Sequence, residues 1–302
     1  MEQLVRTGAR VRVADSFETG SRRNLGTIRR KIQIMKADLL AQENCVKACT
    51  GVDVVMNLAA SVAGVEYNST HSSEMFVKNT RIGMNMLEAA RLSQADEFLC
   101  VSSACVYSGN AAVPTAETQG FLEDPEASNL GYGWAKRVLE VQSRLYADQY
   151  GMKIAIVRPF NTYGPRDHFG SQYGHVIPSL VSRVLDGESP LRVWGNGQQT
   201  RSFIYVTDVV RAMLLAVEKY ASADPINIGS SEEISIGELA RMVLDLARSG
   251  GEIVFDDSKP RGQLRRCPDV RKAKAVIGFE SMTPLKDGLE KTIEWANEHR
   301  KS

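Results

Sequence analysis

Tyr132 and Lys136 stand four residues apart in Tyr132-Gly133-Trp134-Ala135-Lys136. On a helix that spacing puts both side chains on one face, one turn apart. A free tyrosine has a pKa of about 10 and is a poor base at neutral pH. A neighbouring ammonium favours the phenolate and lowers that value. The pair can therefore make a proton-transfer group suited to neutral pH. Taken alone, the same pattern also describes an ordinary solvated helix. Upstream, Phe98-Leu99-Cys100-Val101 is a short apolar strand that runs into Ser102-Ser103-Ala104-Cys105-Val106-Tyr107. Parallel α/β sheets present ligands at the carboxyl ends of their strands, so Ser103 is placed where chemistry is done.

The elements that must position these residues follow a strand–helix alternation. Strands are expected at 11–15, 32–36, 52–60 and 153–159. Helices are expected at about 73–92 and 130–150, with surface loops at 16–26 and 108–128. Residues 2–7 read as a helix end stopped by Gly8, and Cys45 and Cys49 share a face of a short helix. The chain has 302 residues, 43% of them hydrophobic, enough for a large core. Lys and Arg number 37 against 36 Asp and Glu, which argues against a nucleic-acid partner. No apolar run is long enough for a membrane span, and Met1-Glu2-Gln3-Leu4 is not a signal peptide. The five cysteines have neither zinc nor disulfide spacing, so no metal is expected, and reduced thiols in a cytoplasmic protein are.

A strand, a serine pair at its tip and a helix with Tyr-x-x-x-Lys resemble the short-chain dehydrogenase/reductase superfamily. The details are similar to its extended branch, the NAD-dependent nucleotide-sugar epimerases and dehydratases. Arg158-Pro159-Phe160-Asn161-Thr162-Tyr163-Gly164-Pro165 matches that branch's R-P-x-N-x-Y-G-P motif. Asn57-Leu58-Ala59-Ala60 is similar to its H-L-A-A segment, with Asn57 in place of His. The resemblance implies an α/β fold, a Rossmann-like doubly wound parallel sheet with a smaller α/β substrate lobe. The NAD-binding part would span 1–164, with returns near 196–229, and the substrate lobe mainly 165–302. It also implies NAD as cofactor, a nucleotide-diphosphate sugar as substrate and a homodimer formed through the helices at 73–92 and 130–150.

In such enzymes the phenolate of Tyr132 takes a proton from a sugar hydroxyl while NAD takes the hydride. Ser103 bonds the reacting oxygen, and Lys136 lowers the tyrosine pKa and holds the nicotinamide ribose. Asp15 would accept the adenosine ribose hydroxyls and repel the extra phosphate of NADP; an ordinary turn-opening Asp reads the same way. Asp38 and Leu39 would lie against the adenine, with Leu58, Ala59, Ala60 and Asn79 beside the cofactor. Pro159 and Phe160 would flank the nicotinamide. Asn161, Arg201 and Arg265 would meet the substrate phosphates, for which a guanidinium is well shaped; a solvated basic loop is the other reading of Arg265. Asp208 is expected to cap or orient the helix after it.

Cys105 and His175 bear on which reaction follows. The Ser-Ser-Ala-Cys-Val-Tyr segment is similar to that of GDP-mannose 3,5-epimerases, and His175-Val176-Ile177-Pro178 to that of GDP-fucose synthases. In these relatives the Cys, and in the latter the His, act as acid and base beside a ketone. A thiol and an imidazole titrate near neutrality, which suits that task. Cys105 also reads as a small buried filler, and His175 as a helix cap. The expected activity is an epimerase working through a transient keto-sugar. The alternatives are an NADPH-dependent reductase, a simple UDP-sugar 4-epimerase and a non-catalytic member of the fold. Ala104-Cys105 replaces the Asp-Glu pair of the 4,6-dehydratases. The family's first strand and its G-x-x-G-x-x-G loop are expected upstream of Met1, in roughly 15–20 further residues.

Overall fold

The computed structural model describes residues 1–62, 65–169, 174–258 and 263–300. The first half alternates strands and helices. In order come α1 (Glu2–Arg6), β1 (Val11–Asp15), β2 (Ile32–Lys36), α2 (Gln42–Cys49), β3 (Val54–Asn57), α3 (Val65–Thr70) and α4 (Ser72–Leu92). Then follow β4 (Glu97–Val101), α5 (Leu130–Tyr150) and β5 (Lys153–Pro159). The second half holds β6 (Thr162–Tyr163), α6 (Val176–Leu185), β7 (Leu191–Trp194), β8 (Thr200–Ser202), β9 (Ile204–Tyr205) and α7 (Val206–Lys219). After these come β10 (Ser222–Ile228), β11 (Glu233–Ser235), α8 (Ile236–Leu246), β12 (Ile253–Asp256), β13 (Arg265–Arg266), α9 (Arg271–Ile277) and α10 (Leu285–His299).

The main sheet is parallel, with strand order β10-β5-β4-β3. Side chains alternate between its faces with the period of two that a strand imposes. Phe98, Cys100, Ile154 and Ile156 meet Met86, Leu87, Ala90 and Leu139 from α4 and α5. Leu99, Ala155, Val157, Ile226 and Ile228 meet Val209, Ala212, Met213 and Ala216 of α7 and Ala273 and Ile277 of α9. Both faces are covered, as a near-continuous apolar strand such as β4 requires. β1 and β2 form a parallel ladder of their own, and no ladder among the described residues joins it to β3.

A second core gathers Ile177, Leu180 and Val181 of α6, Leu239 and Val243 of α8, Leu289 and Ile293 of α10, and Leu191 and Val193 of β7. The chain returns to the main sheet in α7 and β10, and again, beyond 229, in α9. Two local expectations change. The stretch 22–31 is a 3-10 helix opened by the Ser21 hydroxyl, and it buries Leu25 and Ile28 instead of looping through solvent. Asp208 does not cap its own helix. Its carboxylate accepts the amides of Met282 (3.1 Å) and Thr283 (2.9 Å), tying α7 to the segment before α10.

Candidate active site

The helix α5 approaches the β4 tip closely because two of its residues have no side chain. A Cβ on Gly131 would stand 1.9 Å from the Ser72 carbonyl oxygen, and one on Gly133 2.3 Å from the Cys105 carbonyl oxygen. Gly131 N donates to Ser72 Oγ (3.0 Å), and Asn68 Nδ2 donates to Asn129 Oδ1 (3.0 Å) just before the helix. Tyr132 is held between these two contacts. Its phenol lies close enough to the Ser103 side chain to feel it electrostatically. Ser103 Oγ also accepts the Cys105 amide (3.1 Å), opening the single turn over 104–106. Lys136 Nζ donates to the Val101 carbonyl (2.8 Å) and lies 5.4 Å from the centre of the Tyr132 ring. Ser103, Tyr132, Lys136 and the half-buried Cys105 therefore converge at one strand tip.

The electrostatics differ from the expectation that Lys136 lowers the tyrosine pKa. Burial raises Tyr132, proximity to Cys105 adds to this, and the neighbouring Ser103 side chain opposes it. Burial likewise pulls Lys136 down, against the influence of Cys100, Cys105 and Glu140. The physical reason is desolvation: each charged form is removed from water. The ammonium is also engaged by a backbone carbonyl and the ring face.

The residues expected around a dinucleotide lie at the carboxyl ends of the parallel strands. Asp15 ends β1, and its Oδ1 accepts the Phe17 amide (2.7 Å). Leu58 follows β3 and is 62% exposed, with Ala59 and Ala60 half-buried after it. These small residues and the Asp15 carboxylate fit a nucleotide laid across the strand ends. Three neighbours differ from their expected places. Leu39 is a core residue beside Cys45, and it is Leu40, with Asp38, Arg81 and Asn85, that borders a shallow polar recess. Asn79 is buried, and its amide is bound to Ser61 N (2.9 Å), Ser61 O (3.0 Å) and Met75 O (2.7 Å), so it braces the loop after β3. Phe160 is 1% exposed and packs on Ala104, Val106 and Tyr107, which leaves the half-buried Pro159 as the surface residue of that pair.

In the second half, Arg201 lies on β8, and its cross-strand partner is Arg266 on β13. Burial, then the Arg266 charge, brings Arg201 down to about 10, while Glu126 opposes them. Glu126 also binds Arg266 (3.2 Å). Arg201 itself donates to the Thr200 carbonyl (2.7 Å), so two guanidiniums stand near one carboxylate, a net positive site. Arg265 does not join it. Alternation along the strand turns it away, and its Nε meets both carboxylate oxygens of Glu233 at 2.8 and 3.0 Å. The sequence holds both arginines, and only the register tells them apart. Residues 259–262 of that basic stretch, and 170–173 of the loop at 166–175, lie outside the described residues. Asn161 Nδ2 donates to the Ser202 carbonyl next to Arg201 (2.7 Å).

His175 precedes α6, and its side chain makes no cap. Its Nδ1 lies 3.8 Å from Asp167 Oδ1, and the side chain is 55% exposed. The nearby Asp167 carboxylate raises its pKa above the ordinary 6.5. Among the described residues no contact joins His175 to Cys105 or Tyr132.

A parallel α/β sheet with Ser, Tyr and Lys gathered at a strand tip defines a short-chain dehydrogenase-like protein. The chain belongs to the NAD dependent epimerase/dehydratase family, whose sequence profile matches residues 1–229. It is 34% identical to a dTDP-4-dehydro-6-deoxy-D-allose reductase of a Streptomyces species, over 83% of this chain and 76% of that one. It is 33% identical to UDP-glucuronic acid decarboxylase 1 of Xenopus tropicalis, over 97% of this chain and 68% of that one. Among solved structures, the UDP-glucose 4-epimerase of Thermotoga maritima, determined with UDP-glucose, superposes with a TM-score of 0.89. It is 26% identical and the match covers 98% of this chain and 94% of that one. No helix among the described residues is long and apolar enough to cross a membrane.

Proposed function

We propose that the protein is an NAD-dependent nucleotide-sugar epimerase acting through a transient keto-sugar. The observation that carries this is the convergence of Ser103, Tyr132, Lys136 and Cys105 on the β4 tip. Bound NAD would supply a hydride acceptor for the sugar carbon. Asp15, Asp38, Leu58, Ala59, Ala60 and Pro159 would hold it, with Leu40 and Arg81 at the adenine end and Asn79 and Phe160 as supports. Asp15 favours NAD over NADP because its carboxylate repels a 2′-phosphate.

Tyr132 exchanges the proton of the sugar hydroxyl, Ser103 bonds the same oxygen, and Lys136 supplies positive charge beside them. A keto group then makes the neighbouring C–H bond acidic. Cys105, within the electrostatic reach of Tyr132 and Lys136, takes that proton, and His175 returns one on the other face. Arg201 and Arg266, with Asn161 beside them, bind the diphosphate. The NAD-binding part spans 1–164 and the substrate lobe mainly 165–302. A homodimer forms through α4 and α5, where Ser72, Phe76, Leu130, Trp134 and Val138 line an apolar groove. The thiols suit a reducing cytoplasmic setting.

Turnover in heavy water tests the reading. Epimerisation beside the ketone incorporates deuterium into the sugar, and Cys105→Ser suppresses this while hydride transfer survives. Turnover without incorporation replaces it with a simple 4-epimerase.

One observation favours a second reading. The chain is 34% identical to a dTDP-4-dehydro-6-deoxy-D-allose reductase, and in a keto-sugar reductase Tyr132 would donate its proton to the carbonyl oxygen. Stoichiometric loss of NADPH absorbance on adding a 4-keto-sugar nucleotide would select the reductase.

A further inference from the structure

Glu140 lies one turn beyond Lys136 on the same face of α5 and is wholly buried. Its carboxylate binds two strand tips at once. Oε1 accepts the Ser102 hydroxyl (2.5 Å) and Arg158 Nε (2.8 Å), and Oε2 accepts Arg158 Nη2 (2.7 Å). Arg158 is 1% exposed, and its Nη1 donates to Tyr107 Oη (2.9 Å) and the Glu117 carbonyl (2.8 Å). Ser102 immediately precedes Ser103, and Arg158 immediately precedes Pro159.

A buried ion pair is weak evidence for stability, because apolar replacements are often as stable. Nor is this one needed to join the strands. β4 and β5 are already paired over five positions, from Glu97↔Lys153 to Val101↔Val157. The carboxylate acts where that ladder ends and the candidate site begins.

We propose that Glu140 is a positioning residue: its carboxylate holds the β4 tip, the helix bearing Tyr132 and Lys136, and the β5 tip in one arrangement, one helical turn from the Lys136 ammonium. This rests on reading Ser103, Tyr132 and Lys136 as the reacting set. The groups facing Lys136 are Tyr132 and Glu140 on its own helix, Cys100 on β4 and Cys105 after β4, while Arg158 on β5 faces Glu140 from the other side. Among them Glu140 is the carboxylate. Burial draws Lys136 toward neutrality, and Glu140 opposes that.

Two measurements without substrate test the proposal. In protein labelled at the lysine 13Cε, the Lys136 resonance, identified by its loss in Lys136→Met, reports protonation. In Glu140→Gln paired with Arg158→Gln, which removes both charges of the ion pair together, Lys136 should lose its proton at lower pH than in the wild type. An unchanged titration overturns the electrostatic half. Ser102→Ala removes one hydroxyl and leaves the ion pair intact. The amides of Cys105, Val106 and Tyr107 should then exchange with solvent about tenfold faster, while those of Leu99 and Ile156 keep their protection. Uniform acceleration across the sheet, or none at the tip, overturns the positioning half. Because neither readout needs turnover, an active Tyr132→Phe would remove the reaction assigned above and leave these results standing.

Discussion

Gly133 lies so close to Cys105 that a Cβ on the glycine would stand 2.3 Å from the cysteine carbonyl oxygen and 2.6 Å from Pro125 Cβ. One residue after Tyr132, this contact sets how near the helix comes to the Ser103 turn. Alanine in a helix is favoured over glycine by about 1 kcal/mol, but overpacking costs about 1–3 kcal/mol. Gly133→Ala should therefore destabilise or leave stability level in urea unfolding, and cut turnover through the displaced tyrosine. A stabilised, fully active variant would show that the close approach is not needed.

Tyr132→Phe removes only the titrating oxygen. The fold should persist, since the rest of the side chain is unchanged. Turnover should fall at least about a hundredfold. Near-full activity would falsify the role given to the phenol.

Arg265 and Arg266 should separate cleanly in calorimetry with UDP as probe. Arg266→Met should weaken binding by about 1.5–3 kcal/mol, the value of hydrogen bonds to a charged group. Arg265→Met should change little, since its guanidinium is 53% exposed and paired with Glu233. The reverse order would return the phosphate contact to Arg265.

Cofactor choice should follow Asp15. NAD should bind more tightly than NADP, and Asp15→Asn should narrow the gap by removing the repulsion of the 2′-phosphate. Equal affinities in the wild type, measured by calorimetry, would move weight to the NADPH-dependent reductase.

The His175–Asp167 pair carries a pH signature. Folding raises the His175 pKa above 6.5 by bringing the Asp167 carboxylate beside it. Its contribution is therefore fully present below about 6.5, the unfolded value, and is lost as pH rises through the folded value. Asp167→Asn should lower the pH at which the His175 ring protons titrate in NMR and flatten stability across that window. A His175 titration unchanged by Asp167→Asn would mean the pair does not form in solution.

The sequence by itself determined the alternation of elements and pointed to the group proposed to react. Leu130–Tyr150 and Lys153–Pro159 could be read to the residue, because a helix and a buried strand are announced by local periodicity. Ser103, Tyr132 and Lys136 were legible because type and spacing carry their chemistry. Tertiary structure decided what depends on two distant segments meeting. Register separated Arg266 from Arg265. Packing moved Leu39 and Phe160 into the core, and desolvation raised Tyr132 where the helix spacing implied the opposite. Glu140 and Arg158 are 18 residues apart in the chain, and only the fold buries them against each other. Burial, register and dielectric are properties of the assembled chain, and no single stretch of sequence contains them.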